Sequence, residues 1–155
     1  MRQDGWPRGY AAVAVDSILS EPNMGGVIRA AQIFSAALVV FGTRQYKKQP
    51  TDAMKGYRHI PLLQVEDVLS TIPYDCIPVG VEITDHAVSL IEYQHPQRAY
   101  YIFGPENGTL GNRILLRCKH IGKIPSERCL NLAACVNVVL YDRLSKQIRE
   151  QLPAE

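Results

Sequence analysis

A short apolar run that stops at a glycine and a proline constrains the fold of this chain more than any other stretch. Residues 99–103 read Ala-Tyr-Tyr-Ile-Phe, a composition that predicts a buried strand. The strand must end at Gly104 and Pro105, because proline cannot donate to a sheet ladder and glycine allows backbone angles that other residues avoid. Glu106 follows in a turn, before a helix predicted over residues 110–118. This unit is either a ligand-binding crevice at the carboxyl end of a strand or an ordinary turn with a surface glutamate.

Apolar runs alternate with helical patterns along the rest of the chain. Strands are predicted over residues 10–15, 37–41, 76–83 and 120–124, and helices over residues 23–36, 64–72 and 131–151, with a helical turn near 88–91. Asn23 is a suitable N-cap for the first helix, and Pro78 favours an edge position or an irregular course for its strand. This alternation predicts an α/β fold with a mainly parallel sheet flanked by helices. A length of 155 residues, without a repeat or an internal boundary, fits a single domain over residues 1–155.

Composition excludes several classes of protein. The 46% hydrophobic and 21% charged fractions are those of a globular chain, and the net charge of +2 means that nucleic-acid binding would need a local basic patch. No apolar run approaches a membrane span, and residues 1–10 contain no signal-peptide core. The four cysteines form no CxxC pair and no histidine clusters with them, so we expect no metal site and a reducing, cytoplasmic location.

The start of the final predicted helix is apolar on every side. Between Leu130 and Tyr141 only Asn131 and Asn137 are polar. A helix of this kind must be buried all round, and in a chain this small a second subunit is one way to cover it. The pattern therefore favours a homodimer.

The segment between residues 42 and 59 is polar, aperiodic and basic. The segment contains five cations and one acid, Asp52. Its local charge is therefore +4, which exceeds the net charge of the whole chain. Tyr46, Tyr57 and His59 lie among these cations, and cations that bind phosphates together with rings that stack on bases are typical of RNA binding. The alternative is a solvated loop, although long loops without structure are uncommon unless functional. The predicted RNA-binding residues are Arg44, Lys47, Lys48, Lys55, Tyr57 and Arg58.

Three separated stretches together resemble the motifs of one family. Residues 23–29 carry an N-x-G-x-x-x-R pattern, residues 103–106 read F-G-P-E with a glycine and a leucine following, and Ile124 and Pro125 precede a Leu-Asn-Leu at residues 130–132 that runs into an apolar helix. In this order the stretches are similar to the three motifs of the SpoU-type (TrmH-like) RNA 2′-O-ribose methyltransferases of the SPOUT superfamily. The chain resembles the minimal, single-domain members of that group.

The resemblance implies a fold and an activity that the residues alone do not show. It implies a C-terminal deep trefoil knot, a bent S-adenosylmethionine (AdoMet) as cofactor, a homodimer, and methyl transfer to a ribose 2′-hydroxyl of tRNA or rRNA. The absence of an added RNA-binding domain within this length favours tRNA. A non-catalytic RNA-binding protein on the same fold is the alternative. A nucleotide-binding oxidoreductase is set aside because the first strand lacks a G-x-G-x-x-G turn.

The resemblance also implies roles for individual residues. Arg29 corresponds to the family's catalytic arginine, although its spacing alone would better suit a solvated surface residue. Asn23 and Asn131 would orient this arginine or the ribose, and Glu106 would hold the arginine or a loop amide. Because a guanidinium stays protonated, we expect Arg29 to stabilise negative charge on the ribose oxygen and not to act as the base. The expected cofactor-binding residues are Val81, Glu82, Phe103, Gly104, Glu106, Gly108, Ile124, Leu130 and Asn131.

One departure from the family pattern concerns the third motif. Many relatives have serine where this chain has Cys129 and Ala133. Cys129 could act as a nucleophile in base methylation if a neighbouring cation such as Arg128 activated its thiol. The alternative is a small residue that packs beneath the cofactor loop.

Overall fold

All strands of the chain run parallel in one sheet of seven. The computed structural model describes residues 6–43 and 45–152. The strands are β1 (Tyr10–Val15), β2 (Leu38–Gly42), β3 (Leu62–Val65), β4 (Ile77–Val81), β5 (Val88–Ser89), β6 (Arg98–Phe103) and β7 (His120–Lys123). They lie in the order β3-β2-β1-β6-β4-β7-β5, and every neighbouring pair is parallel. The predicted parallel α/β fold is therefore confirmed, and the carboxyl ends of all strands meet at one edge.

Helices cover both faces of this sheet. The α-helices are α1 (Glu21–Ile33), α2 (Asn112–Leu115) and α3 (Leu132–Gln151), and two 3₁₀ turns lie at Gly56–Arg58 and Val68–Thr71. Side chains alternate along β1 and β6: Val13 and Tyr101 pack with α1 and α3, whereas Ala12 and Tyr100 belong to the core on the opposite face. Because both faces are covered, these strands are apolar throughout, which is why they were recognisable as buried runs.

The first helix begins earlier than its sequence pattern predicts. Ser20, and not Asn23, is the N-cap of α1, and Pro22 lies in the first turn. Proline suits that position because its missing N–H would have no helical partner there. The correction matters for the site, because it leaves the Asn23 side chain free to contact other elements.

Two helical predictions are wrong. Residues 64–72 form the end of β3 and a 3₁₀ turn, because β3 pairs with β2 and the Asp67 side chain accepts a hydrogen bond from Leu69 N at 3.0 Å. Residues 88–91 contain the two-residue strand β5, which pairs with β7. In both places a sheet neighbour, which the local pattern cannot reveal, decides the conformation.

Pro78 lies in an interior strand and not at an edge. β4 is placed between β6 and β7. The carbonyl of Pro78 accepts from Lys119 N at 3.1 Å, and pairing with β7 begins only at Val79 opposite His120. The missing N–H of Pro78 therefore lies just before the ladder between β4 and β7, and it costs no hydrogen bond there.

Candidate active site

An open cleft lies at the carboxyl ends of β4, β6 and β7. Its volume, counting the open mouth, is about 680 Å³. Parallel sheets bind ligands at this edge, so the position favours the crevice interpretation of the turn after β6. The cleft contains eight of the nine residues expected to bind a cofactor: Val81, Glu82, Phe103, Gly104, Glu106, Gly108, Ile124 and Leu130.

A second hollow adjoins this cleft. It contains Asn23 and Asn131, and it shares Glu106, Leu130 and Leu132 with the cleft. The ninth expected residue, Asn131, is therefore at the boundary and not inside the cleft. The boundary is where three motifs that are far apart in sequence come together.

The Glu106 carboxylate binds the start of α1. It accepts hydrogen bonds from Leu19 N and Ser20 N, both at 3.0 Å, and from Asn23 Nδ2 at 2.9 Å. Burial alone would raise the pKa of Glu106, but these hydrogen bonds outweigh burial and lower the pKa below its ordinary value. Glu106 thus contacts loop amides at the positive end of a helix, and not an arginine.

Asn23 and Asn131 extend this contact to the start of α3. Asn131 Nδ2 donates to Asn23 Oδ1 at 2.9 Å, while Asn131 Oδ1 accepts from Ala133 N at 2.9 Å and caps α3. Because Asn23 donates to Glu106, its oxygen is the end that faces Asn131. The chain Glu106–Asn23–Asn131 therefore has one consistent donor direction and fixes the amino-terminal ends of two helices against each other.

The end of β4 holds the loop that follows β6. Glu82 accepts from Leu110 N at 2.7 Å and from Ile83 N at 2.9 Å. Gly104 is needed within the same loop, because a Cβ there would approach Leu110 N to 3.2 Å. Gly104, which also lines the cleft, therefore leaves room for the loop's own backbone.

Arg29 lies apart from the other three predicted catalytic residues. It is exposed, it lines neither hollow, and within residues 6–43 and 45–152 its guanidinium makes no hydrogen bond or ion pair. A Cβ on Gly25 would come within 2.2 Å of Thr51 Oγ1, and one on Gly26 within 2.7 Å of Ala133 Cβ. These glycines, four and three residues before Arg29, allow residues 49–52 and α3 to approach α1. Arg29 therefore lies on the part of the α1 surface between residues 49–52 and α3.

The basic stretch is an ordered part of this neighbourhood. Arg44 lies outside the described residues, so we define the basic segment as residues 45–59. Its buried centre is Asp52, which is 3% exposed and accepts from Gly56 N at 2.7 Å, Tyr57 N at 3.3 Å and the Tyr46 hydroxyl at 3.4 Å. Four of the predicted RNA-binding cations in it are exposed: Lys47, Lys48, Lys55 and Arg58.

Several cleft residues were missed by sequence reasoning. They are Ile83, Pro105, Lys123, Ser126, Leu132 and Cys135. Two of them could have been found from their positions in the chain. Lys123 is the last residue of β7, at the edge where ligands bind, and Cys135 lies one helical turn after Asn131, whose carbonyl accepts from Cys135 N. Cys129 lines the cleft as well, and none of the described residues forms a hydrogen bond with its sulfur.

A membrane-spanning helix and a cluster of metal-binding side chains are both absent from the described residues. None of their helices is long and apolar enough to cross a bilayer. No group of three or more histidine, cysteine or acidic side chains among them is arranged to hold a metal ion.

Comparisons with known proteins agree with this geometry. The model of the SpoU rRNA Methylase family matches residues 10–141. An "Uncharacterized tRNA/rRNA methyltransferase" of Archaeoglobus fulgidus is 28% identical, and the match covers 90% of this chain and 66% of that protein.

Solved structures show the same fold. The SpoU methyltransferase AviRb from Streptomyces viridochromogenes, in complex with AdoMet, has a TM-score of 0.77 at 20% identity and covers 92% of this chain and 62% of that one. A structure reported as "Structural insights into the 2-OH methylation of C/U34 on tRNA" has a TM-score of 0.73 at 21% identity, with 91% and 92% covered. The chain spans about two thirds of the length of the Archaeoglobus relative. Because the family model matches most of its residues, the chain belongs to the SpoU rRNA Methylase family.

Proposed function

We propose that this chain transfers the methyl group of AdoMet to a ribose 2′-hydroxyl of RNA, with tRNA as the favoured substrate. The observation that carries the proposal is the hydrogen-bonded chain Glu106–Asn23–Asn131, which joins all three family motifs beside a cleft at the sheet edge. Support for the cofactor comes from AviRb, which was solved with AdoMet. Support for the substrate comes from the structural neighbour described as concerned with 2-OH methylation on tRNA.

The residues of the cleft suit AdoMet. The cleft is open to solvent on one side and is lined by apolar side chains together with a carboxylate. Val81, Phe103, Ile124 and Leu132 offer apolar walls for the adenine, while the Glu82 carboxylate offers an acceptor for hydroxyl or ammonium groups. AdoMet would supply the electrophilic methyl on a sulfonium. Every other contribution would come from the chain.

We assign Arg29 the stabilisation of the negative charge on the ribose oxygen as the O–C bond forms, the S–C bond breaks and the hydroxyl proton passes to solvent water. Arg29 lies three residues after Gly26, where α1 packs against Ala133 beside the Asn131 cap of α3, and long helical side chains point back towards the amino-terminal end. A ribose placed over Asn23 and Asn131 is thus within reach of the guanidinium. A fixed cation at that point would favour the developing negative charge, and the two asparagines would orient the hydroxyl.

We propose that the active form is a homodimer. Large apolar side chains on one face of α3 stay exposed in the single chain, and their positions recur at helical spacing. This apolar stripe consists of Val138, Tyr141 and Ile148, with Leu152 at the C-cap of α3. The deep trefoil knot within a single domain stays a prediction from the family resemblance.

A second candidate is an RNA-binding protein that no longer transfers methyl groups. The exposed Arg29, which lines neither hollow, favours this alternative. The intact chain Glu106–Asn23–Asn131 favours the enzyme, since a protein that only binds RNA needs no such alignment. Methylation of rRNA instead of tRNA is the alternative substrate.

The test is transfer of labelled methyl from AdoMet into total cellular RNA, for wild type, Arg29→Ala and the control Arg117→Ala. Arg117 is an exposed arginine that follows α2. We expect label in RNA with wild type and the control, and a loss of at least 100-fold with Arg29→Ala. The size class of the labelled RNA separates tRNA from rRNA. Absence of label from a protein that binds both AdoMet and RNA would favour the non-catalytic alternative.

A further inference from the structure

The Tyr57 ring has neighbours on several sides. The Lys48 ammonium is 5.9 Å from the ring centroid and the Arg58 guanidinium 5.7 Å. Arg58 Nε also donates to the Tyr57 hydroxyl at 3.3 Å. The Tyr46 ring packs at 5.8 Å, tilted by 43°. A nucleobase needs an open ring face to stack on, whereas Tyr57 is used by two cations and another ring.

Hydrogen bonds and packing against α1 hold the backbone around Tyr57 in place. Asp52 accepts hydrogen bonds from the Tyr57 and Gly56 amides, and its Tyr46 contact fixes the second ring. Gly56 packs directly on α1, because a Cβ there would lie 2.7 Å from Ile28 Cγ2. The backbone that carries the cations is therefore held in place before any RNA arrives, which reduces the ordering cost of binding.

The cations point towards solvent on the side of α1 that carries Arg29. Thr51 touches Gly25, one helical turn before Arg29. Lys47 is held near α1 by Glu21 at 3.8 Å, yet its side chain is 73% exposed. An ammonium or guanidinium that lies against a ring keeps other N–H donors free, and these match the oxygens of a phosphate.

We infer that the basic segment is a preformed cradle for the phosphate backbone of folded RNA, in which Tyr57 holds two cations in place and stacks on no base. This inference rests on the proposed RNA substrate and specifies how that substrate is held. It revises the expectation that the tyrosines of the segment stack on unpaired bases. Phosphate recognition is independent of sequence, so selection of the target nucleotide would occur at the cleft.

The test measures equilibrium binding to two RNAs, a fully paired hairpin and an unpaired oligonucleotide, over a range of salt concentrations and without AdoMet. The variants are Lys48→Gln, Tyr57→Phe and Tyr57→Leu, with Lys119→Gln as the matched control because Lys119 is an exposed cation next to the start of β7. Thermal unfolding of each variant identifies any that fails to fold. Tyr57→Phe and Lys48→Gln keep the ring and the buried contacts, so they stay informative if Tyr57→Leu does not fold.

A phosphate cradle predicts that the hairpin binds and that the logarithm of affinity falls linearly with the logarithm of salt. Lys48→Gln should reduce that slope by about 0.9 on the hairpin. Tyr57→Leu should weaken both RNAs by about tenfold, because both cations lose their support, whereas Tyr57→Phe and Lys119→Gln should match wild type.

Base stacking predicts a different pattern. Under it, Tyr57→Leu would weaken only the unpaired oligonucleotide, and the hairpin would not compete for the site. Either result would overturn the cradle, as would an unchanged salt slope for Lys48→Gln. Methyl transfer is assayed separately. Absence of methyl transfer with hairpin binding intact would contradict the proposed function alone. Methyl transfer without hairpin binding would contradict the cradle alone.

Discussion

The side chains at the junction of the motifs act mainly through the direction of their hydrogen bonds. Glu106 can only accept, so Asn23 must turn its NH₂ group towards it, and Asn23 then presents an oxygen to Asn131. The oxygen of Asn131 is in turn committed to the first amides of α3. A single protonation state of Glu106 therefore sets the orientation of both amides, and the lowered pKa of Glu106 keeps that state in place at neutral pH.

Asn131 both caps α3 and donates to Asn23, and Asn131→Asp keeps the cap while it removes the donor. Aspartate caps a helix as well as asparagine does and is favourable at a helix amino terminus, so the free energy of unfolding should change by less than about 1 kcal/mol. It cannot donate to Asn23, however, and Asn23 cannot turn its NH₂ group to two carboxylates at once. We therefore expect methyl transfer to fall by about 10- to 100-fold.

Chemical unfolding and methyl-transfer rates, measured on the same preparations, check this prediction. Asn131→Ala is the comparison, since it should lose the cap as well and cost about 1 kcal/mol of stability. Full activity in Asn131→Asp would show that the Asn23 contact is unimportant for the reaction.

At the scale of elements, α3 is fixed at both ends by polar contacts. At its start Asn131 caps it, and in its second half Arg143, which is 5% exposed, donates to the carbonyls of Pro96 and Gln97 and lies 3.4 Å from Tyr10 O. Lys146 adds a contact to Tyr93 O at 2.9 Å. These contacts join α3 to the amino-terminal ends of β1 and β6, opposite the cleft.

Arg143→Met should destabilise the protein by about 3 kcal/mol. Methionine fills the space, but several buried carbonyls lose a charged donor and find no substitute. Urea unfolding gives the difference, and Arg149→Met on the exposed part of the same helix is the control. A difference between the two variants below about 1 kcal/mol would mean that the packing of α3, and not Arg143, holds it to the sheet.

His95 makes stability depend on pH. Its side chain is 1% exposed, it contacts the Tyr101 hydroxyl at 2.6 Å and Asp142 at 2.8 Å, and burial lowers its pKa from 6.5 to about 4, despite the opposing effect of Asp142. The unfolded chain therefore binds a proton at higher pH than the folded one. Above pH 6.5 this residue contributes no pH dependence, and as the pH falls from 6.5 to about 4 it removes on the order of 3 kcal/mol.

Unfolding free energies measured between pH 7 and pH 4 test this prediction by comparing wild type with His95→Gln. The variant should show a flatter decline across that window, whereas His86→Gln, at an exposed histidine, should follow wild type. Parallel curves for wild type and His95→Gln would mean that His95 titrates at its ordinary pKa.

Elements with a strong apolar pattern could be predicted from the sequence, and those that depend on a neighbour could not. β1, β6 and α3 lie within one residue of their predicted bounds because burial on every side leaves an unmistakable run. β3 and β5 are short edge strands with exposed side chains, so their pairing with β2 and β7 leaves no local signal. The cleft residues at strand ends were expected from the family resemblance and not from an apolar pattern, whereas the isolation of Arg29 depends on how α1 packs against two other segments.

At the scale of the whole molecule, the sheet leaves one apolar helix face without a partner. The apolar stripe on α3 runs past Tyr141, which is 62% exposed and has only an edge contact with Phe34 at 6.3 Å. A contiguous exposed patch of this kind is typical of a subunit interface. The polar contacts of α3 lie on the sheet side, so the stripe is available to a second copy.

Tyr141→Asp should convert a dimer to a monomer, because it places a charge in the centre of the stripe. The matched control is Leu116→Asp, since Leu116 is 86% exposed but lies on the opposite face of the sheet, at the end of α2. Sedimentation velocity at micromolar protein distinguishes the species. A monomeric wild type would contradict the homodimer, and a monomer produced by the Leu116 variant alone would place the interface elsewhere.

The central claim is that the cleft and its hydrogen-bonded asparagines direct a methyl group to ribose. The most direct test is incubation of the protein with RNA and deuterated-methyl AdoMet, followed by digestion to nucleosides and mass spectrometry that separates the base from the sugar. The account predicts that the added mass stays with the ribose fragment. Added mass on the base would contradict it and would direct attention to Cys129 in the cleft wall.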